Sequence, residues 1–248
     1  MTLVPMFTVD SLVHEAATRA FGDLAQKWFS RSSTREDLLA AVEQLGFKDA
    51  LPSPDGRDAW PTAAALIRAQ ARSATPIDMA LLLATGDRAG SIAQPPDEYS
   101  CTSDAGRPES LAALAALSLG RCLQIGAAME AALELSLRYV QDRKQFGQPL
   151  AKFQVIQHSL AIAAEEVAAF SAMSDLALAC AAREDILGTR MAALLDAAAV
   201  VAGRSVDVIY DVCHQVHGAI GFTQEYALHR HSLDLLRWRD HLQLLRGG

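Results

Sequence analysis

The residues of this sequence best suited to chemistry lie in two short motifs about 70 residues apart. The first, at 143–150, reads Arg-Lys-Gln-Phe-Gly-Gln-Pro-Leu, a basic helix end followed by a turn. A planar, always-charged guanidinium such as that of Arg143 is a good phosphate ligand. A purely structural interpretation is equally open, in which the cations favour a helix C-terminus and Phe146 with Leu150 packs the turn against the helices.

The second motif, at 214–226, is rich in small residues. Gly218, Ala219 and Gly221 allow another molecule to approach the backbone closely, and they end one helix before the next begins. Glu225 falls at the predicted start of the last helix, where a carboxylate also suits the helix dipole. His214 and His217 are one turn apart, but no carboxylate has the spacing of a further ligand, so we expect packing and no metal site.

The elements that must position these motifs are long helices. Apolar residues recur at helical spacing over 111–142, 153–182, 185–216 and 224–245, and short loops join the four segments. This pattern predicts an antiparallel four-helix bundle at 110–248. No segment shows the alternation typical of a strand, so we predict an all-α protein with no β-domain.

The first 85 residues predict a smaller helical domain. Helical spacing covers 8–30, and Ser33 with Glu36 forms a capping-box signature before the next helix, which Gly46 ends. Pro76 is expected in the first turn of a further helix at 76–85. Residues 86–109 then form a polar segment rich in Gly, Pro and Ser, which predicts a linker that is long for a compact domain.

Composition excludes several classes of protein. With 51% hydrophobic residues and a net charge of −7, the chain is neither a disordered tail nor a nucleic-acid binder. We find neither a signal peptide nor a membrane-spanning run, and therefore expect a cytoplasmic protein. The four cysteines form no CxxC pair and are expected to be free, buried thiols: Cys101, Cys122, Cys180 and Cys213.

The two motifs together resemble the C-terminal helical domain of the FAD-dependent acyl-CoA dehydrogenases. Residues 139–154 resemble that family's arginine, phenylalanine-glycine and glutamine signature, and residues 217–226 resemble its second, glycine-rich signature. The resemblance covers residues 111–239 well, and residues 12–83 are compatible with the family's N-terminal helical domain. It implies α,β-desaturation of an acyl-CoA thioester.

The resemblance also implies roles for individual residues. Arg143, Gln145, Phe146 and Gln154 match residues that contact the FAD pyrophosphate. Gln215, Gly218 and Ala219 belong to the turn that holds the adenosine end of the cofactor. Because these groups reach the FAD of a neighbouring subunit, an oligomer is implied. Glu225 matches the usual catalytic base, which needs a desolvated pocket to raise its pKa.

Two departures from the family's pattern shape the functional hypothesis. Ala219 stands where the family usually has a second glycine, and residues 86–109 stand where it has a whole β-domain. We therefore expect the short subunit of a hetero-oligomer, such as a heterotetramer, that contributes ADP-arm contacts to FAD held mainly by a full-length partner subunit. In that arrangement Glu225 is either a working base or a relic.

Three other functions compete with this hypothesis. One is a self-sufficient FAD enzyme that has replaced the β-domain, and another is a non-catalytic helical scaffold or regulatory subunit that has lost cofactor binding. A ferritin-type di-metal bundle fails because the sequence has no Glu-x-x-His pair. The acyl-CoA substrate is not readable from the residues, and a fatty acid or steroid side-chain pathway would rest on analogy alone.

Overall fold

The computed structural model describes residues 11–53, 56–86 and 108–246. Its helices are α1 (Ser11–Phe29), α2 (Arg35–Gln44), α3 (Trp60–Ser73), α4 (Met79–Thr85), α5 (Leu111–Asp142), α6 (Gln154–Arg183), α7 (Thr189–His217) and α8 (Ala227–Arg246). Within the described ranges the only β-strands are β1 (Lys144–Gln145) and β2 (Gln148–Pro149), which form a hairpin. The predicted all-α fold without a β-domain is therefore confirmed.

Helices α5 to α8 form the predicted antiparallel bundle, in which α5 packs against the other three. Glu130 of α5 accepts a hydrogen bond from Ser171 of α6, and Glu166 of α6 accepts one from Ser205 of α7. His214 of α7 bonds Ser232 of α8. These pairings leave α5 and α7 pointing the same way, so the C-terminal ends of both helices lie at one end of the bundle.

The N-terminal helices pack on the same central helix. Helix α1 lies on α3, and both α3 and α4 lie on α5, so the buried apolar residues of the two parts form one continuous core. Arg72 of α3 bonds Glu130 and Glu134 of α5. The predicted division into an N-terminal domain and a bundle stays a prediction, and most of the predicted linker, 87–107, lies outside the described residues.

Helix α5 is long and apolar enough to cross a membrane, but its environment explains that composition. Its most apolar window is 83% buried inside the fold. Cys122 of α5 and the thiols Cys180 and Cys213 are free and buried, as predicted, whereas Cys101 lies outside the described residues. Burial raises the pKa of the Cys122 thiol to about 12 and that of Cys213 to about 11.

Some predicted helix ends were wrong. The capping box of α2 is formed by Thr34 and Asp37, one residue later than the predicted pair, because the Asp37 carboxylate reaches back to the Thr34 amide at 2.7 Å. Gly46 follows α2 with a φ of +66°, as predicted. Helix α4 begins at Met79 rather than at Pro76, because Asp78 caps it by accepting from the Leu81 amide.

Candidate functional site

The first motif forms a tight hairpin at the end of α5. Arg143 caps the helix: its amide bonds the Tyr139 carbonyl at 2.9 Å, and its own carbonyl accepts from the Leu150 amide at 2.9 Å. Gln145 pairs with Gln148 across the hairpin, and the two residues between them have positive φ angles, +52° at Phe146 and +81° at Gly147. Two consecutive positive φ angles are typical of a type I′ turn, which suits the twist of a two-residue hairpin loop.

Phe146 projects from this hairpin into solvent. Its side chain is 92% exposed and contacts the Phe153 ring edge-on, with 6.2 Å between ring centroids. The structural interpretation, in which Phe146 packs the turn against the helices, is therefore wrong, since only Leu150 lies against the core. A large aromatic held in solvent by a strained turn is available to another molecule.

The second motif connects α7 to α8 through a 3₁₀ helix at Gly218–Phe222. Gly218 has a φ of +64° and a ψ of −144°, a conformation essentially restricted to glycine. Gly221 is required for packing instead, because a Cβ built there would lie 3.2 Å from His214 Nδ1 and 3.0 Å from His217 Cβ. Helix α8 begins only at Ala227, so Glu225 lies in the preceding turn rather than at the predicted helix start.

The two motifs meet through an aromatic cluster. Tyr139, one turn before Arg143, stacks on the His217 ring with 4.4 Å between centroids, and Tyr226 packs against both rings. His217 Nδ1 donates to the Cys213 carbonyl at 2.8 Å, and its Nε2 lies 3.2 Å from the Tyr226 hydroxyl. Burial lowers the pKa of His217 and raises that of Tyr226. His217 is therefore neutral, and its contacts with Tyr139 and Tyr226 link the two motifs.

His214 forms a second contact behind the glycine-rich turn. Ser232 donates its hydroxyl to the Leu228 carbonyl, so His214 Nε2 is the donor of the 2.7 Å bond to Ser232 Oγ. The other ring nitrogen, Nδ1, is buried without a partner among the described residues, and Phe222 stacks on the ring at 4.2 Å. Burial and the neighbouring His217 lower the pKa of His214, so the ring is neutral.

The structure places the predicted cofactor-binding residues on the surface of this one end of the bundle. All seven are exposed: Arg143, Gln145, Phe146, Gln154, Gln215, Gly218 and Ala219. Glu225 is exposed as well and lies in the turn of the second motif. No ion pair occupies the Arg143 guanidinium in the part of the chain that the structure describes. That part also holds no group of three or more metal-ligating side chains.

Sequence reasoning assigned no role to the residues that join the motifs. Tyr139 and Tyr226 each lie at the edge of a motif, but neither spacing nor residue type shows that their rings meet at His217. The signal that could have found them is the parallel direction of α5 and α7, which brings two helix C-termini together. His214 and His217 were expected to serve packing, and their contacts agree with that expectation.

Comparison with protein families decides the identity. The profile described as acyl-CoA dehydrogenase, C-terminal domain, matches residues 106–239, which is more than half of the chain. This chain belongs to the acyl-CoA dehydrogenase family. Members of that family generally bind FAD.

Curated relatives carry the same family name. A protein named as an acyl-CoA dehydrogenase, YngJ of Bacillus subtilis, is 34% identical over 136 residues, which is 54% of this chain and 31% of YngJ. Acyl-CoA dehydrogenase IpdE2 of Mycolicibacterium smegmatis is 31% identical over 125 residues, which is 50% of this chain and 37% of IpdE2. The chain thus covers about a third of the length of these relatives.

Solved structures extend the similarity of fold to almost the whole chain. One chain of the ChsE4-ChsE5 complex from Mycobacterium tuberculosis aligns with a TM-score of 0.73 and 12% identity. The alignment covers 97% of the present chain and 95% of that chain. One chain of a variant of the Tcur3481-Tcur3483 steroid ACAD aligns with a TM-score of 0.69 and 17% identity. The alignment covers 94% of the present chain and 92% of that chain. Both structures are named as pairs of different proteins. At these identities, the matches show the fold.

Proposed function

We propose that this chain is the short helical subunit of an FAD-dependent acyl-CoA dehydrogenase and acts with a full-length partner subunit. One observation carries the proposal: the bundle brings both motifs to one end and leaves the seven predicted cofactor-binding residues exposed. A surface that is built by two distant motifs and is not covered by the described part of its own chain suits a cofactor held mainly by another subunit. The similarity of fold to chains from paired assemblies supports a partner.

The exposed groups fit the ADP arm of FAD. Arg143 offers the pyrophosphate a permanently charged group with several donors, and its backbone is held on both sides by the α5 cap and the hairpin. Gln145 and Gln154 flank it with amide donors, and Phe146 offers an apolar ring. FAD, when bound in the partner, would accept the hydride in the desaturation.

The glycine-rich turn would hold the adenosine end. A Cβ built at Gly218 meets no atom within 4 Å, so the backbone there is open to an approaching molecule. Gln215 is exposed on the last turn of α7, next to this opening. Ala219, which replaces the family's second glycine, is also exposed, so its methyl group is accessible to an approaching cofactor.

Glu225 is the candidate base that would remove the α-proton of the acyl-CoA thioester. In this chain its carboxylate is exposed in the turn before α8, so the desolvation that a base requires would have to come from the partner's surface. The role therefore depends on assembly. If the partner leaves Glu225 in solvent, the residue is a relic and the chain contributes only cofactor contacts.

Co-expression with a full-length acyl-CoA dehydrogenase tests the proposal by a count of flavin per purified complex. We expect one FAD per pair of unlike chains. Arg143→Ala should weaken FAD binding by about 10- to 100-fold, because a hydrogen bond to a charged group contributes roughly 1.5–3 kcal/mol. Arg19→Ala, which removes an exposed cation of α1, is the matched control and should leave the flavin content unchanged.

The other outcomes separate the competing functions. A complex whose flavin content is unchanged by Arg143→Ala would contradict the cofactor contact and favour a scaffold. A yellow, fully active chain purified without a partner would favour a self-sufficient enzyme. Glu225→Gln, assayed for acyl-CoA oxidation in a complex that keeps its flavin, then distinguishes a working base from a relic.

A further inference from the structure

A cluster of three rings joins the two exposed motifs. Tyr139, His217 and Tyr226 each contact the other two, with 4.4 to 6.2 Å between ring centroids. His217 is buried and the two tyrosines are partly buried, whereas the predicted cofactor-binding residues of both motifs are exposed. The three rings therefore connect the motifs from the inner side, and none of them is among the residues assigned to the cofactor.

Tyr139 attaches the cluster to the backbone of the first motif. Its carbonyl accepts a hydrogen bond from the Arg143 amide at 2.9 Å, and this bond ends α5. The Arg143 carbonyl in turn accepts from the Leu150 amide, which holds the hairpin to the helix end. A shift of Tyr139 would therefore move the backbone from which the Arg143 guanidinium extends.

His217 attaches the cluster to the second motif on both sides of the glycine-rich turn. Its carbonyl, immediately before Gly218, accepts from the Tyr139 hydroxyl at 3.4 Å. Its Nδ1 donates to the Cys213 carbonyl, which leaves Nε2 of the neutral ring to accept from the Tyr226 hydroxyl at 3.2 Å. Tyr226 is the last residue of the motif. His217 thus fixes both the start and the end of the turn relative to Tyr139.

We propose that Tyr139, His217 and Tyr226 are positioning residues that hold the two motifs at the separation required by a nucleoside diphosphate. The role rests on the proposed function, in which the first motif receives the pyrophosphate and the second receives the adenosine. A ligand that reaches both motifs gains from the second contact only if the motifs are already held at its own length. The cluster therefore selects ligands that span both motifs, whereas a fragment that contacts one motif gains nothing from it.

Titrations of the purified full chain with ADP, pyrophosphate and adenosine, followed by NMR, test this role. We expect the wild type to bind ADP more tightly than either fragment. Tyr139→Leu removes the ring that stacks on His217. It should raise the dissociation constant of ADP about tenfold or more, and those of the two fragments by less than about twofold. Tyr139→Phe keeps the stacked ring and should bind ADP within about twofold of the wild type.

Three further variants separate positioning from stability. His217→Leu removes both hydrogen bonds of the ring and should have the same selective effect on ADP. Tyr226→Phe removes only the hydroxyl at Nε2 and should raise the ADP dissociation constant by about twofold or more. Phe170→Leu is the control, because it removes a fully buried ring in the middle of α6, near Gly126. It should lower the free energy of unfolding and leave all three dissociation constants unchanged.

The outcomes distinguish this role from the proposed function. Unchanged ADP binding in Tyr139→Leu, or equal weakening of ADP and both fragments, would overturn the positioning role and leave the proposed function standing. An equally selective effect of Phe170→Leu would overturn it as well. A wild-type chain that binds neither ADP nor its fragments would contradict the proposed cofactor contacts, and the positioning role with them. Circular dichroism verifies that each variant is folded.

Discussion

At the scale of single residues, the second motif depends on one backbone conformation. Gly218 combines a φ of +64° with a ψ of −144°, and its amide bonds the His214 carbonyl to end α7. Any Cβ at this position is strained by its own backbone, although no neighbouring atom lies within 4 Å of it. A substitution at Gly218 therefore tests backbone strain without a steric clash with neighbouring residues.

Gly218→Ala should lower the free energy of unfolding by about 1–3 kcal/mol, because it forces alanine into a region that only glycine populates. Urea denaturation followed by circular dichroism measures the change. Gly22→Ala is the matched control: Gly22 lies within α1 with no atom near its Cβ, so that substitution should stabilise by roughly 0.5–1 kcal/mol. Equal stability of Gly218→Ala and the wild type would contradict the strain argument.

At the scale of elements, α5 is held in place by a close approach of α4. A Cβ built at Gly120 of α5 would lie 2.5 Å from Ala80 Cβ and 3.3 Å from Ala80 Cα. Real Cβ atoms do not come so close, so one helix would have to move. Because α5 also carries Arg143 at its far end, its position relative to the N-terminal helices affects the candidate site as well as the core.

Gly120→Ala should destabilise the protein by roughly 1–3 kcal/mol through overpacking, despite the better helix propensity of alanine. Ala80→Gly makes room on the other helix, so the double variant should be more stable than the sum of the two single effects implies. A double-mutant cycle in urea measures this coupling, expected to be at least about 1 kcal/mol. Additive effects would show that the two helices do not meet here.

At the scale of the whole molecule, a buried polar network ties the N-terminal helices to the bundle. Arg121 of α5 donates to Asp78 at 2.7 Å, to Gln124 at 2.6 Å and, through Nε, to His241 Nδ1 of α8 at 3.0 Å. Gln124 in turn donates to Gln70 of α3 at 2.9 Å. Burial opposes ionisation of Asp78, but the Arg121 guanidinium outweighs it and holds the pKa below its usual value.

The basic residues of α8 are less exposed than their residue types suggest. None of the seven, at 229, 230, 231, 237, 239, 241 and 246, is exposed. In the fold, burial lowers the pKa of His231 and of His241 to about 4, with Arg230 and Arg121 respectively adding to the effect. Burial also raises the pKa of Asp234, whose side chain is 20% exposed, to about 7.

These shifts predict how stability depends on pH. The lowered pKa values of His231 and His241 add stability that is present above pH 6.5 and lost as pH falls towards 4. The raised pKa of Asp234 has the opposite effect. Its contribution to the free energy of unfolding is largest near pH 4 and is lost as pH rises through 7. Between pH 4 and 6.5 the effect of the two histidines on stability is larger than that of the single carboxyl, so stability should rise with pH up to about 6.5.

Asp234→Asn isolates the carboxyl. The free energy of unfolding of this variant, relative to that of the wild type, should increase by about 1.4 kcal/mol per pH unit between pH 4 and 7. Above that range the difference should become constant. Urea denaturation at several pH values measures the slope difference. Asp23→Asn, which changes an exposed carboxyl of α1, controls for the loss of a charge. Parallel stability curves for Asp234→Asn and the wild type would contradict the shifted pKa.

Much of the architecture follows from local patterns. The predicted span of α5 matches the structure residue for residue, and the other three bundle helices differ from prediction by one to four residues at their ends. The spacing of apolar residues predicts a helix because the apolar face of that helix has to be buried. Caps are less predictable: Thr34 and Ser33 are equally suitable residue types, and only the reach of the Asp37 carboxylate distinguishes them.

The sequence by itself determined the helical composition and the four-helix bundle, because these depend on local spacing and residue type, and its two motifs resemble the family that the profile match shows. Only the tertiary structure decided that Phe146 projects into solvent, that Tyr139 and Tyr226 meet on His217, and that His241 accepts a hydrogen bond from Arg121. Each of these depends on which helix ends meet. That is settled by the packing of the whole chain, since residues far apart in sequence share one desolvated environment.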